Sequence, residues 1–166
     1  MSPILEPHSF EFISRSTEQT RRVGIRLGAF LGSGDVVGLV GDLGAGKTTL
    51  MQGIAAGWGS LDPVSSPTFM LVNVYRRVDG QQLYHLDAYR LSGSAEAIDL
   101  DLDGMMERGP LVIEWADRIE DALPKERFWI TLEWLDETQR QFLVAARGEY
   151  NQDLLQSLRK QIFGVS

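Results

Sequence analysis

Gly41-Asp42-Leu43-Gly44-Ala45-Gly46-Lys47-Thr48 satisfies the spacing G-x-x-x-x-G-K-[ST], the pattern of a loop that cradles phosphate. Each position has a physical reason. Consecutive amides from Gly44 through Ala45, Gly46 and Lys47 to Thr48 can converge on phosphate oxygens. Glycines at 41, 44 and 46 permit backbone angles and a close approach that side chains would block. The Lys47 ammonium suits the β- and γ-phosphates, and the Thr48 hydroxyl suits Mg²⁺. Thr49 suits the α-phosphate side, and Asp42 belongs to the same loop. A bare glycine-rich turn with a solvated lysine would leave the Lys-Thr pair at the helix start unexplained.

Mg²⁺ requires further oxygen ligands. In phosphate-loop proteins an acid at the end of a neighbouring apolar strand supplies or orients them. Two segments have that form: Leu111-Val112-Ile113-Glu114 and Leu83-Tyr84-His85-Leu86-Asp87. Glu114 is the better metal-side acid, because its strand is the more apolar. Asp87 then orients water or stands behind the ligands, against the alternative of an ion pair with Arg90. Trp115 either packs in the core or contacts the nucleotide. Ser65-Ser66-Pro67-Thr68-Phe69 follows the phosphate-loop helix, where a γ-phosphate-sensing loop often lies. There Thr68 would reach Mg²⁺ or the attacking water, whereas the plainer reading is a Ser/Pro connector. No Asn-Lys-x-Asp segment offers a guanine pocket, so ATP is expected rather than GTP.

These residues need elements to hold them. Val36–Val40 is apolar on both faces, as a buried parallel strand reads. Leu50, Met51, Ile54, Ala55 and Trp58 mark the helix after the loop, closed by Gly57 and Gly59. Upstream, Phe10 and Phe12 alternate with polar residues as a strand. Ser16 and Gln19 have capping-box spacing, and Val23, Leu27, Phe30 and Leu31 give a helix over about 17–31, ended by Gly32 and Gly34. Asp79-Gly80 predicts a two-residue hairpin turn between strands. Residues 94–108 carry a weak helical pattern, and 117–123 a short helix stopped by Pro124. Residues 127–134 and 140–147 read as paired strands. Asn151 is placed to cap a last helix carrying Leu154, Leu155, Leu158 and Ile162. The organisation predicts one phosphate-loop α/β domain over residues 1–166.

Composition narrows the function. Of 166 residues none is Cys and two are His, which excludes thiol chemistry and makes a His-rich metal cage implausible. Lys and Arg number 16 against 23 acids, for a net charge of −7. That balance does not favour nonspecific binding to nucleic acid, which rests on cationic surface. Any nucleic acid is expected to be held by a partner. No apolar run approaches the roughly 20 residues of a membrane span, and MSPILEPHSFEF lacks the form of a secretory signal. The expected location is the cytoplasm.

Four segments together resemble the bacterial TsaE (YjeE) ATPase family: GDLGAGKTTL (41–50), SSPTFMLVNVY (65–75), LYHLDAYRL (83–91) and VIEWADRIEDALP (112–124). The resemblance covers about residues 10–135. It implies a small three-layer phosphate-loop NTPase-like fold with a central mixed sheet flanked by helices, and slow ATP hydrolysis with Mg²⁺ in tRNA threonylcarbamoyladenosine biosynthesis. It also implies two partners, TsaD and TsaB; TsaD modifies adenosine 37 of tRNAs that read ANN codons. By matching position, Lys47 and Thr48 are implied as phosphate and Mg²⁺ ligands and Glu114 as the metal-side acid. Thr68 and Asp87 fall on the family's active-site loop and strand, Trp115 on its nucleotide-side tryptophan, and Thr17 near its adenine. Two other functions use such a loop. A small-molecule or nucleotide kinase would carry an Arg-rich lid, yet Arg76, Arg77, Arg90, Arg108 and Arg118 are dispersed. A nucleotide-gated binding module would release no phosphate.

Overall fold

The computed structural model describes residues 8–42, 44–65 and 72–164. One sheet contains β1 (Ser9–Ser14), β2 (Val36–Val40), β3 (Val72–Arg76), β4 (Gln82–Asp87), β5 (Leu111–Glu114), β6 (Phe128–Trp134) and β7 (Arg140–Ala146). Its order is β1-β7-β6-β2-β5-β4-β3. The central strand β2 pairs in parallel with β5 and β6, and β5 pairs in parallel with β4. The pairs β1–β7, β6–β7 and β3–β4 are antiparallel. This is the mixed α/β sheet that the resemblance implies. Alternate residues of a strand face opposite sides. Val37 and Leu39 therefore join one core, with α1 (Thr17–Gly28), α2 (Lys47–Trp58) and α5 (Glu149–Phe163). Val36 joins the other, with α3 (Ser94–Ala97), α4 (Leu102–Arg108) and a 3₁₀ helix at Ala116–Ala122. Among the described residues no helix is long and apolar enough to cross a membrane.

The helix behind the loop is held by unusually close packing against α1. A Cβ added at Gly53 would lie 2.1 Å from the Arg21 carbonyl oxygen, and one at Gly28 would lie 2.0 Å from that of Ile54. Gly57 belongs to this contact too, because its Cβ would meet the Ile25 backbone. It does not close α2 as expected; Gly59 does so alone, in a left-handed conformation with φ 103°.

Other local expectations shift for identifiable reasons. Ser16 caps α1 by accepting from the Gln19 amide at 3.1 Å, but Gln19 reaches back to the amide of Arg15 rather than Ser16. α1 ends at Gly28, and 3₁₀-type bonds from Phe30 to Leu27 and from Leu31 to Gly28 tighten the exit. The β3–β4 hairpin has a three-residue loop, Val78–Gly80, closed by an Arg77 amide bond to the Gln81 carbonyl. The expected two-residue turn needs positive φ at both central residues, and only Gly80 has it. The 94–108 pattern divides into α3 and α4, with Asp101 capping α4 through the Gly104 amide. Asn151 does not cap α5. Gly148 does, and Asn151 lies buried in the first turn, donating to the Arg147 carbonyl at 2.9 Å.

Candidate nucleotide site

The motif stands where β2 ends and α2 begins. Gly44 and Gly46 have φ of 80° and 104°, so glycine supplies the left-handed backbone that the turn requires. Ala45 is buried, whereas Asp42, Gly44 and Thr48 are exposed, and Thr49 is half-buried. Lys47 opens α2 at 6% exposure. Its ammonium donates to the carbonyls of Gly41 and Asp42, the latter at 2.8 Å. It also lies 4.3 Å from the centroid of the Trp115 ring. Burial pushes the Lys47 ammonium below its ordinary pKa, opposed by the negative charges of Glu114, Asp42, Asp87 and Asp117.

Register brings the acids to this place. Asp87 on β4 stands opposite Glu114 on β5. Two residues earlier, His85 stands opposite Val112. Val112 belongs to the core shared with α2, so the same strand parity carries His85, Asp87 and Glu114 on the face of the phosphate-loop helix. The Asp87 carboxylate accepts from the Tyr89 amide at 2.9 Å. Glu114 is 7% exposed, and its Oε2 lies 2.5 Å from His85 Nε2. Sequence reading gives His85 no role in the site. Its position two residues before Asp87 on one strand face was the available signal.

Trp115 follows Glu114 with φ 58°, the only non-glycine residue of positive φ among those described. Such backbone costs on the order of 1–3 kcal/mol and persists where surroundings over-determine it. Here Trp115 contacts the Tyr89 ring at 4.9 Å between centroids, with the Arg118 guanidinium over both rings. Trp115 is thus neither a plain core residue nor an isolated platform, because its ring covers the lysine of the loop. Arg140 on β7 was also not foreseen; its Nε donates to the Gly44 carbonyl at 3.2 Å. Thr17 and Thr49 line a small notch together with Gly46 and Arg140, so α1 does bring Thr17 beside the loop. Thr68 lies outside the described residues.

Fold and site together define an α/β protein with a mixed seven-stranded sheet and a glycine-rich loop of G-x-x-x-x-G-K-T spacing that leads into α2. The sequence model of the TsaE family, "Threonylcarbamoyl adenosine biosynthesis protein TsaE", matches residues 14–142. The chain is 38% identical to the tRNA threonylcarbamoyladenosine biosynthesis protein TsaE of Bacillus subtilis over 144 residues, 86% of this chain and 89% of that one. It is 38% identical to the protein of the same name from Treponema pallidum, covering 80% of this chain and 98% of that one. The crystal structure of Bacillus subtilis YdiB superposes with a TM-score of 0.75 at 32% identity, covering 92% and 95% of the two chains. The chain belongs to the TsaE family of tRNA threonylcarbamoyladenosine biosynthesis.

Proposed function

We propose that this chain binds ATP with Mg²⁺, hydrolyses it slowly, and thereby supports a TsaD–TsaB complex. That complex would form threonylcarbamoyladenosine at position 37 of tRNAs that read ANN codons, in the cytoplasm. The supporting observation is the placement of Lys47, a buried ammonium at the start of α2 with Glu114 and Asp87 on the facing side of the sheet. Polyphosphate oxygens would replace the Gly41 and Asp42 carbonyls as partners of Lys47. The amides of Gly44–Thr48 and the positive end of α2 would hold the remaining phosphate charge.

The donor chemistry fits Mg²⁺. Thr48 and Glu114 offer hard oxygen atoms, and Mg²⁺ in such sites takes only one or two protein ligands beside phosphates. Four carboxylates act on the single Lys47 charge, so a polyphosphate entering here would meet net repulsion without a divalent cation. When bound, the cation supplies charge neutralisation. Asp87, whose carboxylate accepts from the Tyr89 amide, would position the attacking water. The net charge of −7 makes direct tRNA binding unfavourable and a basic partner surface the complementary choice.

Phosphate release from ATP, measured with the chain alone and with TsaD and TsaB, tests the reading. Turnover that rises with the partners is expected. Calorimetric silence toward ATP and Mg²⁺, alone and with the partners, would refute it.

A further inference from the structure

We infer that His85, braced by Tyr75, is the positioning residue that fixes the Glu114 carboxylate for metal binding. The inference rests on the nucleotide reading above and adds a component that the motif does not contain. His85 is 1% exposed in the middle of β4, and its ring is held at both nitrogens. Nε2 lies 2.5 Å from Glu114 Oε2, and Nδ1 lies 2.9 Å from the Tyr75 hydroxyl. A carboxylate only accepts, so Nε2 carries the proton toward Glu114. Tyr75 then donates to Nδ1, and its oxygen receives Asn73 Nδ2 at 3.5 Å. Burial raises the Tyr75 pKa, and the Glu114 charge raises it further, which keeps the hydroxyl protonated and able to donate.

The geometry divides the carboxylate between two tasks. Oε2 is committed to His85, and among the described residues no second donor bonds the Glu114 carboxylate. The second oxygen remains available to a cation. A carboxylate free to rotate would lose that division. An apolar core residue would suffice if His85 only filled space, because β4 is buried on both faces around it. The line of bonds continues from Asn73, whose Nδ2 donates to the Ser65 carbonyl at 2.8 Å, so the brace is anchored outside the sheet. Partners of this kind commonly govern metal affinity by about 10–100-fold.

Two isosteric variants separate positioning from folding. His85→Gln keeps an amide donor where Nε2 stands. His85→Asn keeps one near Nδ1 and leaves nothing opposite Glu114. The full-length chain would be loaded with a nonhydrolysable ATP analogue, and Mn²⁺ affinity read by electron paramagnetic resonance. Analogue binding without metal would be measured by calorimetry. Asn should weaken Mn²⁺ by about 10–100-fold while metal-free analogue binding holds, and Gln should restore most of the affinity. Combining His85→Asn with Glu114→Ala should add nothing to Glu114→Ala alone. Equal Mn²⁺ affinity in wild type, Asn and Gln would overturn the inference, as would fully additive losses in the double variant. Failure of the wild type to take up the analogue at all would instead defeat the nucleotide reading, and this inference with it.

Discussion

Gly53→Ala sets two opposing effects against each other, and their sizes decide the sign. Gly53 lies inside α2, where Ala is the better helix former by about 1 kcal/mol. On propensity alone the variant would be more stable. The added Cβ, however, would stand 2.1 Å from the Arg21 carbonyl oxygen and 3.0 Å from the Gly24 Cα. Both are backbone atoms, so no rotamer change relieves the contact, and the helices must separate by roughly 1 Å, given that van der Waals approach begins near 3 Å. Overpacking of this kind costs about 1–3 kcal/mol, with the upper end expected where only backbone can move. The net loss is about 2 kcal/mol. For a chain of this size that lowers Tm by about 4–8 °C. Because α2 begins at Lys47, the same displacement should weaken nucleotide binding. Gly32→Ala is the control: nothing lies within 4 Å of its added Cβ, and its φ is not in the left-handed region. It should be neutral or slightly stabilising. Calorimetric melting of the three proteins checks this. A Gly53→Ala protein that melts at or above the wild-type temperature would refute the close-packing argument.

Lys47→Ala should abolish tight nucleotide binding by calorimetry. In the wild type, affinity should fall as pH rises below the ordinary lysine range, since the lowered Lys47 pKa makes the amine neutral early. Thr48→Ala and Glu114→Ala should lose Mg²⁺-dependent phosphate release while retaining nucleotide; normal turnover by Glu114→Ala would shift the metal-side role to Asp87. Asp62 is held at a pKa of about 2 by hydrogen bonds from Arg76. Its contribution to stability should be complete above about pH 4 and vanish as pH falls through 2. Asp62→Asn should flatten acid unfolding curves in that interval.

Much of the site was legible in contiguous residues. The proposed phosphate loop, with its lysine and threonine, can be read from a short segment because the chemistry it would perform depends on neighbouring amides within one turn. Strand and helix types were equally readable from periodicity, and β2, α2, β5, β6 and β7 lie close to where the pattern puts them. The hairpin after β3 misled, because Asp79-Gly80 satisfies a composition rule while only Gly80 adopts the required backbone. Asn151 misled likewise: a residue suited to capping was drawn one turn inward, where its amide bonds the Arg147 carbonyl.

What the sequence determined by itself is the local pattern: a glycine-rich turn of phosphate-loop spacing between a buried strand and a helix, with acids at the ends of apolar strands. Only the tertiary structure decided which distant groups meet. Parallel register sets Asp87 beside Glu114 and brings His85 onto Glu114 across 29 residues of chain. Close helix packing makes Gly53 and Gly28 indispensable for reasons their own helices do not reveal. The difference is physical. Turn geometry is fixed by bonds between neighbouring residues, whereas a pair across a sheet is chosen by the burial of whole strand faces, which no short window of sequence contains.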